Sequence, residues 1–199
     1  MAVSKRQPAE AALAAVAAGA GDLGENYVQE AIAKQAEMAE AGSVKCRWHL
    51  IGHLQTNKAR LAVDRFELIQ SVDSARLARA IGAAADSAGK LQDVLVQVKL
   101  GHEDTKEGVD AASFEALISC ILDTRCLRLQ GLMGIAPAGA NPQPYFRELR
   151  RQFEQLPGEN RRTLSMGMSG DFAEAIREGS TMVRIGAAIF GERNSRHLS

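Results

Sequence analysis

Short apolar runs and amphipathic stretches alternate along the chain from one end to the other. Ala2-Val3-Ser4 reads as a first strand, and Pro8 then opens an Ala-rich stretch that stops at Gly19 and Gly21. Proline at the start of a helix and glycine past its end are the expected punctuation. A second helical stretch runs from about Tyr27 to Ala41, Trp48 to Ile51 reads as a strand, and Thr56 to Val63 as a short helix. Phe66 to Val72 is the next strand, followed by a helix with Leu77, Ile81 and Ala84 on one face. Val94 to Leu100 is almost continuously apolar, as a strand covered on both sides should be. In the second half Phe114, Leu117, Ile118, Ile121 and Leu122 recur at helical spacing, and Leu127 to Met133 is a strand. Another helical stripe, Tyr145, Phe146, Leu149, Phe153 and Leu156, ends at Pro157-Gly158. Thr163 to Met166 and Met182 to Ile185 are the last strands, with a helix from about Gly170 to Arg177 between them and another beginning near Ile189.

A further strand near Leu23, inferred mainly from the rhythm, brings the count to eight β-then-α units. Such alternation implies a parallel sheet with right-handed crossovers, and eight units can close into a (β/α)₈ TIM-type barrel. An open doubly wound sheet is the alternative, because periodicity does not distinguish a closed sheet from an open one. At 199 residues the expectation is one domain, residues 1–199, with no linker.

Charge narrows the partners. Lys+Arg and Asp+Glu number 24 each, so no basic excess points to nucleic acid. Neither a polybasic run nor a long apolar stretch points to a membrane, and the absence of a signal segment suggests the cytoplasm. Cys46, Cys120 and Cys126 form no CxxC pair and read as free thiols. His49 and His53 lie on a strand-to-loop segment without the HExxH glutamate, so no metal is expected.

Three regions carry candidate chemistry. Lys5 ends the first strand, where a barrel opens its active-site mouth, and a partly desolvated amine there is a nucleophile toward an aldehyde. Ser165-Met166-Gly167-Met168-Ser169 follows the seventh strand and Arg184-Ile185-Gly186-Ala187 ends the eighth. Barrels often hold phosphate in those loops, and glycine lets backbone N–H groups approach an anion. Arg184 stands between apolar neighbours on the face that alternation assigns to the interior, where it needs a partner. An internal salt bridge is the plain alternative for it. Gly24 to Glu30 and Trp48 to Lys58 are also richer in polar residues than packing requires.

At these residues the chain resembles the pyridoxal phosphate homeostasis proteins, single-domain relatives of the alanine racemase N-terminal barrel. The matching runs are Ala2 to Lys5, Gly24 to Glu30, Trp48 to Lys58, Gly131-Leu132-Met133, Leu164 to Ser169 and Thr181 to Arg193. The resemblance implies that pyridoxal 5′-phosphate (PLP) is held as a Schiff base on Lys5. It further implies that Ser169, Gly186 and Ala187 surround the phosphate, that Arg184 faces the pyridine nitrogen, and that Asn26 and Met168 lie near the ring. It also implies a role in PLP homeostasis without established catalysis; PLP-dependent apoenzymes are the expected recipients, and the lack of any exposed heptad or dimerisation segment sets monomer as the expectation. Two other readings stay open: a weak PLP-dependent amino-acid racemase, and a barrel that has lost its cofactor. Ala187 stands where the family commonly has a hydroxyl, and Leu23 where it has phenylalanine. The family's helix before the first strand is expected to be lacking here.

Overall fold

The computed structural model describes residues 1–42, 45–101 and 107–191. Among these residues seven strands lie side by side in chain order, every neighbouring pair parallel. They are β1 (Ala2–Val3), β2 (Asp22–Glu25), β3 (Arg47–Leu50), β4 (Leu68–Val72), β5 (Gln92–Val98), β6 (Leu127–Gly134) and β7 (Thr163–Ser165). The helices between and after them are α1 (Ala9–Ala17), α2 (Val28–Glu40), α3 (Ala59–Arg65), α4 (Ala75–Ser87), α5 (Ala111–Leu122), α6 (Gln143–Gln155), α7 (Phe172–Arg177) and α8 (Ala187–Phe190). The strand expected near Leu23, mainly from rhythm, is β2. No helix among the described residues is long and apolar enough to cross a membrane.

Local chemistry sets the boundaries. The Ser74 hydroxyl accepts from the Leu77 N–H at 3.3 Å and starts α4, and the Asp110 carboxylate accepts from Ser113 at 2.8 Å and starts α5. Each satisfies one of the first-turn donors that a helix leaves orphaned. Gly131 has φ +143°, and a Cβ there would come within 2.0 Å of the Thr163 carbonyl oxygen. The register of β5 against β6 slips at this point, and only a residue without a side chain lets β7 come so close.

Alternation divides the buried residues into two sets. Leu23, Trp48, Leu50, Ile69, Val94, Val96, Leu132 and Leu164 join the large core that the helices cover. On the opposite face Leu68, Leu95 and Met133 form a small cluster of their own. The same face carries His49, Gln70 and Ser165, all buried, with Arg184 beside them. Its filling is therefore half polar.

The expected eighth strand is not one. Segment 182–185 touches each neighbour through an isolated bridge, Ser165 to Met182 on one side and Ala2 to Ile185 on the other. Its backbone bonds run Arg184 N–H to Gly167 O (2.9 Å), Ile185 N–H to Met1 O (3.1 Å) and Val3 N–H to Ile185 O (2.8 Å). Side chains take over where a ladder would continue. Thr181 Oγ1 accepts the Leu164 N–H at 2.8 Å, and the Ser180 hydroxyl reaches the Met166 carbonyl at 2.8 Å. Hydroxyls compete with the backbone for these partners, which is why the segment never regularises.

Candidate functional site

Lys5, Asn26, Met168 and Ser169 lie in the loops that follow the carboxyl ends of β1, β2 and β7, and Arg184, Gly186 and Ala187 lie on or just after segment 182–185. Lys5 is half-buried and sits in the turn directly after β1, whose ladder runs on through the Ser4 N–H to Gly24 O bond of 3.1 Å. The turn closes with the Gln7 N–H on Ser4 O at 3.0 Å, and Arg6 adopts φ +59°. A non-glycine residue pays for that backbone and needs surroundings that hold it there.

The surroundings come from β2 and α2. The Lys34 ammonium donates to Ser4 O at 2.5 Å and to Glu25 Oε1 at 2.5 Å, and lies 3.4 Å from Glu30 Oε1. Glu25 Oε1 also accepts from the Ser4 hydroxyl at 2.7 Å, and Glu30 Oε1 takes the Arg6 N–H. The backbone groups on both sides of Lys5 are thus clamped by one charged cluster. Glu25 is fully buried and Lys34 nearly so. Burial pushes the Glu25 carboxyl upward, while its hydrogen bonds from Lys34 and Ser4 pull the other way. Sequence reading missed this cluster. Glu25 shares the helix-covered face of β2 with Leu23, and a carboxylate on such a face was the signal.

Asn26 follows β2 and is half-buried. A Cβ on Gly52 would lie 2.4 Å from the Asn26 carbonyl oxygen and 2.8 Å from its Cβ, so the glycine permits the loop after β3 to press Asn26 into position. Across the mouth, Ser169 Oγ accepts the N–H of Gly186 and of Ala188, both at 3.3 Å. This brings Ser169, Gly186 and the exposed start of α8 at Ala187 together. Gly167, with φ +92°, lets the intervening turn fold under α7, where a Cβ would lie 2.5 Å from that of Ala175. Met168 stands at the rim, 42% exposed, and lines a hollow of about 530 Å³ with Ile135, Pro137 and Asp171. Ile135 also borders a second hollow, about 380 Å³, lined by Asn26, Tyr27, Gln29, His53 and Lys58.

Arg184 lies beneath this mouth, and its solution to burial is not a salt bridge. Nη1 donates to Ser165 Oγ at 2.9 Å and Nη2 to Gly134 O at 3.0 Å. Among the described residues no carboxylate pairs with it, although the charge of Asp171 is felt. Burial pulls the guanidinium down to about 10, so it stays protonated at neutral pH. Five N–H donors with two protein acceptors leave capacity for a neutral acceptor such as a pyridine nitrogen.

His49 is buried on the same face, and burial pushes its ring from 6.5 down to about 4, only partly offset by Asp22. The unfolded ring takes a proton first as the pH falls. The stability contributed by the neutral ring is therefore present above about pH 6.5 and lost as the pH falls toward about 4. Between pH 7 and pH 4.5 the parent protein should lose about 2–3 kcal/mol more than His49→Gln, measured by urea unfolding at both values. Equal losses would mean that the ring is already charged in the fold.

Comparison with known proteins gives the family and the fold. Residues 1–194 match the family model described as alanine racemase, N-terminal domain. The pyridoxal phosphate homeostasis protein of Haemophilus influenzae is 40% identical over 98% of this chain and 84% of its own length. That of Escherichia coli is 38% identical over 98% and 85%. The solved structure of PipY from Synechococcus elongatus with PLP bound superposes with a TM-score of 0.87 at 41% identity, over 96% of this chain and 91% of that one. The alanine racemase of Corynebacterium glutamicum shares the fold, with a TM-score of 0.73 at 19% identity over 100% of this chain and 57% of that one. The chain belongs to the pyridoxal phosphate homeostasis protein family, built on the fold of the alanine racemase N-terminal domain.

Proposed function

We propose that this chain binds PLP at the mouth described above and serves PLP homeostasis as a carrier rather than an enzyme. PLP, when bound, supplies an aldehyde that amines add to and a pyridine ring that can draw electrons from an attached amino acid. Lys5 holds the aldehyde carbon as a Schiff base, with Asn26 and Met168 beside the ring. Ser169, Gly186 and Ala187 surround the phosphate, since backbone N–H groups that now converge on a hydroxyl suit an anionic oxygen equally well. Segment 182–185 acts as the eighth member of the sheet, closing a (β/α)₈ barrel through its bridges to β7 and β1.

The observation that carries the reading is Arg184, a buried cation free of any carboxylate partner among the described residues. A guanidinium has no acceptor and cannot hold a proton on the pyridine nitrogen, so a ring facing it stabilises a carbanion poorly. We take the protein to be a cytoplasmic monomer that exchanges PLP with PLP-dependent apoenzymes.

Two measurements test this. Pyridoxal without the phosphate should bind at least about a hundredfold more weakly than PLP, a difference of about 2.7 kcal/mol, by titration of the visible band. Equal affinities would remove the phosphate site from this mouth. Deuterium uptake at Cα of L-alanine in D₂O should be near that of free PLP. Turnover on the order of 1 s⁻¹ or faster would favour a racemase instead. Tyr27, 52% exposed where α2 begins, would then be the first residue to replace.

A further inference from the structure

Arg184 is the last member of a hydrogen-bonded chain that crosses the sheet from its carboxyl to its amino end. Arg184 Nη1 donates to Ser165 Oγ at 2.9 Å, and Ser165 Oγ donates to Gln70 Oε1 at 2.7 Å. The Gln70 amide nitrogen lies 3.0 Å from His49 Nδ1, and His49 Nε2 lies 3.1 Å from Asp22 Oδ1. The members sit on segment 182–185, β7, β4, β3 and β2, and Ser165, Gln70 and His49 are almost fully buried.

The ends determine the polarity. Arginine only donates, so the Ser165 hydroxyl must spend its own proton on Gln70. Gln70 then presents its carbonyl to serine and its amide N–H to histidine. His49 Nδ1 must accept, which leaves the proton on Nε2, facing the Asp22 carboxylate. The hydrogen bonds point the same way, from a cation beneath the mouth to the His49 ring, whose Nε2 stands 3.1 Å from the Asp22 carboxylate. Asp22 is held in turn by Arg47, at 2.6 Å from Nε to Oδ1 and 3.0 Å from Nη2 to Oδ2. Aligned bonds in a dry interior polarise one another, so a change at one end is felt at the other.

We propose that Ser165, Gln70, His49 and Asp22 are positioning residues for Arg184. Together they form a one-way relay that fixes the guanidinium plane, leaving the arginine's remaining donors for the cofactor nitrogen. The inference rests on the reading that Arg184 faces that nitrogen.

The test uses PLP labelled with ¹⁵N in the ring and bound to the full chain. Its ¹⁵N resonance reports hydrogen bonding at that atom. Arg184→Ala should move the resonance. Gln70→Leu and His49→Leu, which leave Arg184 in place, should move it in the same direction by a smaller amount and weaken PLP binding about three- to tenfold. His49→Gln keeps an acceptor toward Gln70 and a donor toward Asp22, and should restore the parent resonance. Ser165→Ala, which deletes one hydroxyl, gives the same break if the leucine variants do not fold. Parent resonances in Gln70→Leu and His49→Leu beside a displaced one in Arg184→Ala would overturn the relay and leave the role of Arg184 standing. Failure of His49→Gln to restore it would also overturn the relay. An unmoved resonance in Arg184→Ala would overturn both.

Discussion

Protein carrying Lys5→Ala and reconstituted with PLP is expected to lose the visible absorption band entirely while remaining folded. The lysine is half-buried and lies in a turn, so its truncation should cost no more than about 1 kcal/mol of stability. The turn has backbone fastenings of its own. Lys34 and Glu30 hold it through the carbonyl of Ser4 and the N–H of Arg6, both backbone groups. PLP can still place its phosphate and ring, so weak non-covalent binding should persist without colour. Far-ultraviolet circular dichroism checks the fold and absorbance checks the band. A band of parent intensity in Lys5→Ala would move the covalent attachment to another lysine.

The largest stability effect is expected at the clamp. Lys34→Met leaves Glu25 in a fully buried setting without its cation, and breaking such a pair typically costs about 3–5 kcal/mol. Glu25 would answer by taking a proton, which limits the loss but leaves Ser4 O without its ammonium. The double replacement Glu25→Leu with Lys34→Met removes both charges. It should recover most of the lost stability, because an apolar pair of similar volume is often as stable as a buried ion pair. Urea unfolding measures both variants. The double variant should nevertheless bind PLP more weakly than the parent, since the turn carrying Arg6 at φ +59° has lost the ammonium on Ser4 O and keeps only the Glu30 contact to the Arg6 N–H. Full PLP affinity in the double variant would show that the clamp serves stability alone.

The elements were legible where a period was unambiguous. Leu77, Ile81 and Ala84 share a stripe that no strand would display, and Phe114 to Leu122 repeats it. The mouth was legible through residue types out of keeping with packing, such as Arg184 among apolar neighbours and the glycines around Ser169. Partner choice was not legible. Alternation assigned Arg184 to the interior, but nothing local distinguishes a serine and a carbonyl from a carboxylate as its acceptor. Those partners come from β6 and β7, 50 and 19 residues away along the chain. The Lys34–Glu25 pair failed for the opposite reason. Lys34 lies one helical turn after Glu30, and that spacing reads as an exposed i,i+4 pair until β1 covers it. The last strand failed because Met182 to Ile185 has the apolar look of a strand, while the hydroxyls of Ser180 and Thr181 just before it take bonds that a ladder needs.

That hydroxyl-stitched seam has a thermodynamic consequence. Arg184 and Gly186 lie on or next to the stretch least secured by the regular ladder, and a ligand that engages both contributes fastenings there that the chain lacks alone. Binding confined to the closed form adds stability by mass action, about 2.7 kcal/mol when the free ligand stands at a hundred times its Kd. The unfolded fraction should then fall as PLP rises. Because unfolded chains are the ones proteases cut, the time the chain survives a protease should lengthen with the cofactor that surrounds it.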